Sequence, residues 1–176
     1  TLLALLIYPV SAVYSEEQII AVEKLSEEIT ITFEAAPKDT LFNDSEKQLS
    51  EKDTDIHIEA LVNWHEDISI EGQNPGGFIP YVNITTEIIN ENTNQKKIIE
   101  LSPHVNLSDG FHYAKNIKLP GLRIDKYKII FTIIPDDKSL TYHMDWKEKY
   151  SYPIFSKKIF EYSNLDFQII SESSRR

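Results

Sequence analysis

Asp55-Ile56-His57-Ile58-Glu59-Ala60-Leu61-Val62 is the stretch on which the fold turns. In an extended chain successive side chains point to opposite faces. Ile56, Ile58, Ala60 and Val62 then share one face, and Asp55, His57 and Glu59 share the other. The apolar face asks for packing. The polar face sets an imidazole beside a carboxylate, a natural pair of ligands for a divalent metal.

Working outward, Ile29-Thr30-Ile31-Thr32-Phe33 alternates in the same way, and Tyr127-Lys128-Ile129-Ile130-Phe131-Thr132-Ile133 is rich in β-branched and aromatic residues. Strands are expected over 55–64, 78–89, 96–101, 111–119, 127–134 and 153–169, the last as two strands. Turn signals separate them at Asn74-Pro75-Gly76-Gly77, at 90–94, at Pro120-Gly121 and at Pro135-Asp136-Asp137. Residues 15–28 are charged and helix-tolerant, and 37–54 read as a long polar surface loop. Short strands at this spacing predict an all-β fold, an immunoglobulin-like antiparallel β-sandwich.

The chain opens on an apolar run over residues 1–13, with Val10 and Ala12 placed as in a signal-peptide cleavage site. The run is shorter than the roughly 20 residues that span a bilayer. Residues 1–12 are therefore expected to be the remnant of an export signal cleaved near Ala12. Residues 13–176 are expected to form one metal-binding β-sandwich domain without membrane insertion. With no cysteine in the chain, packing must hold that domain together, and thiolate metal sites are excluded. A net charge of -10 argues against nucleic acid. No phosphate loop, nucleophile elbow or internal repeat is present.

Two further clusters carry histidine. In the first, Pro103-His104 and His112-Tyr113 flank the Asp109-Gly110 turn signal, which brings both imidazoles toward one end of a sheet. The second is Thr141-Tyr142-His143-Met144-Asp145. Histidine with carboxylate suits divalent transition metals, and a thioether would favour copper. No ligand-spacing rule is met, and a lone histidine is more often a hydrogen-bonded surface residue. His65 is read as such a solvated loop residue, Met144 as a packing residue that stands as a reserve ligand, and Trp64 and Phe78 as core.

Asp55-Ile56-His57-Ile58-Glu59-Ala60, Gly77-Phe78-Ile79-Pro80-Tyr81, Ser108-Asp109-Gly110-Phe111-His112-Tyr113 and the His143 segment follow one another in an order that resembles the periplasmic high-affinity iron-transport protein family. Asn116-Ile117-Lys118-Leu119 and Tyr152-Pro153 add to the likeness, which runs from about Ile29 to Phe167. The resemblance implies an immunoglobulin-like homodimer with a metal site close to the subunit interface. Carried over by motif, His57 and Glu59 are the strand pair, His112 the loop histidine and His143 the late histidine. Asp109 corresponds to an acidic residue that in the family approaches the partner subunit's site. The family has methionine where this chain has His104, and aligning the two requires a one-residue gap in the loop. Imidazole in place of thioether weakens a preference for Cu(I) and suits Cu(II), Zn(II) or Fe(II).

The expected site is thus His57, Glu59, His104, His112 and His143 with Asp109. Its cargo is Fe(II) and/or Cu(II), with Zn(II) possible. The expected role is ferrous-iron uptake in the periplasm, where a homodimer captures metal and supplies or supports an inner-membrane iron permease without bond chemistry. Three alternatives stand beside it: a periplasmic copper or zinc chaperone or storage protein, an enzyme using Glu59 as base beside a metal-bound water, and a metal-independent sandwich for adhesion or assembly.

Overall fold

The computed structural model describes residues 17–42, 48–150, 152–173 and 175. The apolar run at 1–13, and with it the expected cleavage site, lies outside the described residues. Among the described residues nine strands form two antiparallel sheets. β1 (Gln18–Lys24), β2 (Ile29–Pro37), β3 (Ile56–Trp64), β7 (Gly110–Ile117) and β6 (Ser102–Asn106) make a five-stranded sheet in the order β1-β2-β3-β7-β6. β4 (Val82–Asn90), β5 (Lys96–Glu100), β8 (Lys126–Pro135) and β9 (Lys158–Asp166) make the second, in the order β5-β4-β8-β9. Two short helices, α1 (Met144–Lys149) and α2 (Gln168–Glu172), complete the described elements together with a 3-10 turn at Glu51–Asp53. The expected β-sandwich is the fold observed.

The inward residues of β3 are those that alternation assigned. Ile56, Ile58, Ala60 and Val62 are wholly buried and belong to the core between the sheets. Opposite them, Ile84, Ile88, Ile129, Phe131 and Ile133 fill the same layer from β4 and β8. Phe33 of β2 stacks on Phe131 of β8, with ring centroids 4.0 Å apart and planes 15° from parallel, so one aromatic pair ties sheet to sheet. Phe160 and Tyr162 of β9 close around Phe33. The Tyr113 hydroxyl donates to the Ile79 carbonyl at 3.0 Å and accepts from the Val82 amide at 3.1 Å, which anchors β7 to the entry of β4.

Four local expectations differ from the structure. The helix-tolerant stretch at 15–28 holds strand β1, because β2 offers it a paired edge from Gln18↔Ala35 to Lys24↔Thr30. Residues 102–106 form edge strand β6, which tolerates Pro103 because an edge residue need not donate to a neighbour. The segment 153–169 supplies one strand, β9, and its end turns into α2. The His143 segment leads into a helix: His143 stands at the N-cap position of α1 without a side-chain cap bond, and Met144 is 64 % exposed rather than packed. Trp64 is core, while Phe78 packs against it partly buried. Asp55, though on the polar face of the β3 stretch, serves the scaffold. It pairs with Arg123 Nη2 at 2.7 Å and accepts from the Leu119 amide at 3.0 Å.

The Phe33–Phe131 stack makes a direct prediction. Phe33→Ala removes a wholly buried ring from the only aromatic stack joining the two sheets among the described residues. Denaturant unfolding should show a loss of about 3–5 kcal/mol. A loss within the range of a surface substitution would contradict the role given to this pair.

Candidate metal centre

The site is built on the outer face of the five-stranded sheet, away from the core. Register fixes its layout, since residues paired across antiparallel strands point to the same side. Glu34, Glu59, Ala114 and Ser102 form one row across β2, β3, β7 and β6. On one side of that row, His57 faces Asn116. On the other, His112 faces His104. The small Ala114 thus lies between the positions that supply the three histidines. One ring nitrogen from each of His57, His104 and His112 lies within 4.8 Å of the others. The His57 and His104 rings are 5.3 Å apart and those of His104 and His112 5.8 Å apart, centroid to centroid.

An outer sheet face is ordinarily wet, but this one is sealed. His57 and His112 are buried, and Glu59 is wholly so. Segments 38–42 and 48–55 roof the face through Asn116, whose Nδ2 donates to the Asp39 carbonyl at 2.9 Å and to the Leu49 carbonyl at 3.0 Å. Those two bonds fix the amide's orientation. Its Oδ1 therefore faces His57 Nδ1 at 2.7 Å as an acceptor. The proton of His57 is held on Nδ1, and Nε2 keeps its lone pair for a ligand. His112 is arranged alike: Nδ1 donates to the Gly110 carbonyl at 3.1 Å, leaving Nε2.

His104 differs from the other two. Its Nε2 lies 3.1 Å from Gln48 Nε2 and 3.3 Å from Ser102 Oγ. The Gln48 amide also donates to Ser102 Oγ at 3.0 Å, so it presents its donor group to both. The lone pair of His104 Nε2 is thereby engaged, and a ligand reaches this ring either at Nδ1 or after Gln48 gives way.

Burial holds His57 and His104 neutral. Desolvation lowers His57 from its ordinary 6.5 to about 3, against the Asn116 hydrogen bond, and the neighbouring His104, Arg175 and His112 push the same way as burial. Desolvation lowers His104 to about 4, with His112 adding to the shift. The carboxyls move oppositely. Burial raises Glu59 from 4.5 to about 8, with the Arg175 guanidinium opposing and Glu17, Asp109 and Glu34 reinforcing. Burial, then the charges of Glu17 and Asp109, raises Glu34 to about 7. With the imidazole neutral, the 3.6 Å approach of His57 Nε2 to Glu59 Oε1 is accordingly not an ion pair.

These residues fit a divalent metal. A tetrahedral site with imidazole ligands at about 2.1 Å needs its nitrogens about 3.4 Å apart, a spacing compatible with three nitrogens that lie within 4.8 Å of one another. Three imidazoles with a carboxylate suit Fe(II), Cu(II) and Zn(II). Glu59 Oε2 is buried without a hydrogen-bond partner, as expected of an oxygen kept for a cation. Asp109, at the β6–β7 turn, brings a carboxylate oxygen within 4.8 Å of those of Glu17 and Glu59 in the same chain. His143 stands apart. It is exposed before α1, on the rim of a cavity of about 420 Å³ lined also by Trp64, Tyr142 and Trp146.

Sequence reasoning missed Asn116 and Gln48, which orient the imidazoles, as well as Glu17, Glu34 and Arg175, which set the charge beside them. Asn116 alone carried a local signal, sharing the period-two face of β7 with His112.

A β-sandwich with a sealed cluster of imidazoles that could hold a metal ion fits a metal-handling protein. The family comparison makes this specific: residues 14–169 match the Fe2+ transport protein family, and the chain belongs to it. Among solved structures it is similar to a copper-bound variant of Campylobacter jejuni P19, at 24% identity and TM-score 0.70, covering 85% of this chain and 96% of that one. It is also similar to a copper-bound variant of FetP from uropathogenic Escherichia coli strain F11, at 22% identity and TM-score 0.68, covering 86% and 99%. A comparison with curated proteins gives no match. No helix among the described residues is long and apolar enough to cross a membrane.

The shifted groups dictate how stability of the metal-free protein depends on pH. Raised Glu34 and Glu59 contribute stability that is full below 4.5 and lost as pH climbs through about 7 and about 8. Lowered His57 and His104 contribute stability that is full above 6.5 and lost as pH falls toward about 4 and about 3. Thermal unfolding should therefore show greatest stability between 4.5 and 6.5. Glu59→Gln should flatten the alkaline limb. A native Tm that rises steadily from pH 5 to pH 8 would contradict these environments.

Proposed function

We propose that this chain is a periplasmic divalent-metal-binding protein of ferrous-iron uptake. It captures Fe(II), holds Cu(II) at the same position, and supplies or supports an inner-membrane iron permease. Zn(II) is a further fit to the donor set. The observation that carries this reading is the convergence of His57, His104 and His112 on one sealed sheet face, with the protons of His57 and His112 drawn to Nδ1. Membership in the Fe2+ transport protein family supports iron as cargo. The periplasmic setting rests on the export pattern at 1–12 and on that family.

Capture proceeds without bond chemistry. The fixed Nε2 atoms of His57 and His112 receive the ion, His104 turns from Gln48 to join them, and Glu59 supplies negative charge on losing its proton. Because copper binds nitrogen ligands more tightly than iron in general, copper occupancy and iron transport are compatible at one site. The same preference supports a copper chaperone as the second reading. Titration of the purified chain with Cu(II), Zn(II), Mn(II) and anaerobic Fe(II) by calorimetry tests the site. About one ion per chain should bind, and His57→Ala or His112→Ala should abolish tight binding. Retention of full affinity in both variants would remove the proposed ligands. Iron-limited growth of cells carrying the same variants then separates iron uptake from copper handling.

The working unit in this reading is a homodimer. Val105 and Phe111 pair across the β6–β7 hairpin and are 66 % and 59 % exposed, and Leu107 at its tip is fully exposed. An apolar hairpin that carries two of the three imidazoles is suited to a second copy. That copy would bring the exposed His143 toward the site, or Asp109 toward its partner's. Phe111→Asp should shift sedimentation from dimer to monomer, while a native chain sedimenting as a monomer at micromolar concentration would refute the dimer.

A further inference from the structure

Arg175 lies beyond α2 and past the residues matched to the family, yet its guanidinium reaches back onto the site. Nη2 donates to Glu59 Oε1 at 3.1 Å and to Glu17 Oε1, and Nη1 lies 3.5 Å from Asp39 Oδ2. Among the described residues no other lysine or arginine forms an ion pair with these three carboxylates. The acidic group it serves includes Asp109, whose oxygen lies within 4.8 Å of those of Glu17 and Glu59. Independently of that clustering, Glu59 is wholly buried and its Oε2 has no partner. One oxygen of Glu59 is thus taken by a cation of the chain itself, and the other waits.

We propose that Arg175 is a resident counter-cation that competes with a metal ion for Glu59, and that it thereby selects which ions the site retains. This rests on the metal-capture reading and adds a selectivity residue to it. A guanidinium is permanently charged and offers no lone pair to a metal. Two cations sharing one buried carboxylate repel strongly where the local dielectric is low. An ion satisfied by the imidazoles of His57, His104 and His112 leaves Arg175 in place. An ion that prefers oxygen needs Glu59, and even at the free Oε2 it meets the guanidinium's charge on Oε1 and must weaken or break that contact. Return of Arg175 to Glu59 then competes with the ion, which suits a protein that hands its cargo on.

Calorimetric titration of the native chain, Arg175→Gln and Arg175→Lys with Mn(II) and Cu(II) at neutral pH tests this. Arg175→Gln should bind Mn(II) about tenfold or more tightly than the native chain, a coupling of ordinary size between competing ligands. Its Cu(II) affinity should change far less. Arg175→Lys keeps the charge without the fork and should fall between the two for Mn(II). Equal Mn(II) affinity in native chain and Arg175→Gln, or an equal gain for Cu(II), would overturn the proposal while leaving metal capture intact. Failure of the native chain to bind Cu(II) would instead overturn metal capture itself, and the role of Arg175 with it.

Discussion

Everything at the site depends on the sealing of a sheet face that would normally belong to solvent. His57 and Glu59 occupy the side of β3 opposite the core, yet both are buried. The cover comes from the roof segments pinned through Asn116 and from Arg175. Removing water does two things at once. It keeps the imidazoles of His57 and His104 neutral, and it makes a bare carboxylate costly, which raises the pKa of Glu59 and Glu34. In the proposed capture, a cation that draws on Glu59 competes there with a proton and with Arg175.

The antiparallel register converts that sealed face into a site. His104 and His112 meet because β6 and β7 pair them directly, and His57 reaches them across the row held by Glu59, Ala114 and Ser102. Hydrogen bonds from outside the trio set the protons. Asn116 and the Gly110 carbonyl each take the Nδ1 side of one ring, whereas Gln48 and Ser102 engage Nε2 of His104. The three imidazoles are therefore not equivalent. Two present an Nε2 outside those bonds, and the third has its Nε2 engaged by its own neighbours.

Much of the fold was legible in local patterning because period-two alternation reports directly on a half-buried strand. Ile56, Ile58, Ala60 and Val62 entered the core as read. Elements that exist only through a neighbour escaped that reading: β1 looks helix-tolerant until β2 pairs with it, and β6 contains a proline that only an edge strand accepts. At the site, His57 and Glu59 were visible as near neighbours on one strand. The meeting of Glu34 with Glu59, of Gln48 with His104, and of Arg175 with Glu59 joins distant parts of the chain. Such contacts follow from register and from chain return, which no local window contains.

The central claim is that three imidazoles converge on one ion. X-ray absorption of the Cu(II)-loaded protein at the copper edge measures this most directly, because imidazole rings give outer-atom scattering that carboxylates and water lack. The account predicts the signature of three bound imidazoles, falling to two in His104→Ala. A spectrum dominated by oxygen neighbours, or one unchanged by loss of His104, would contradict it.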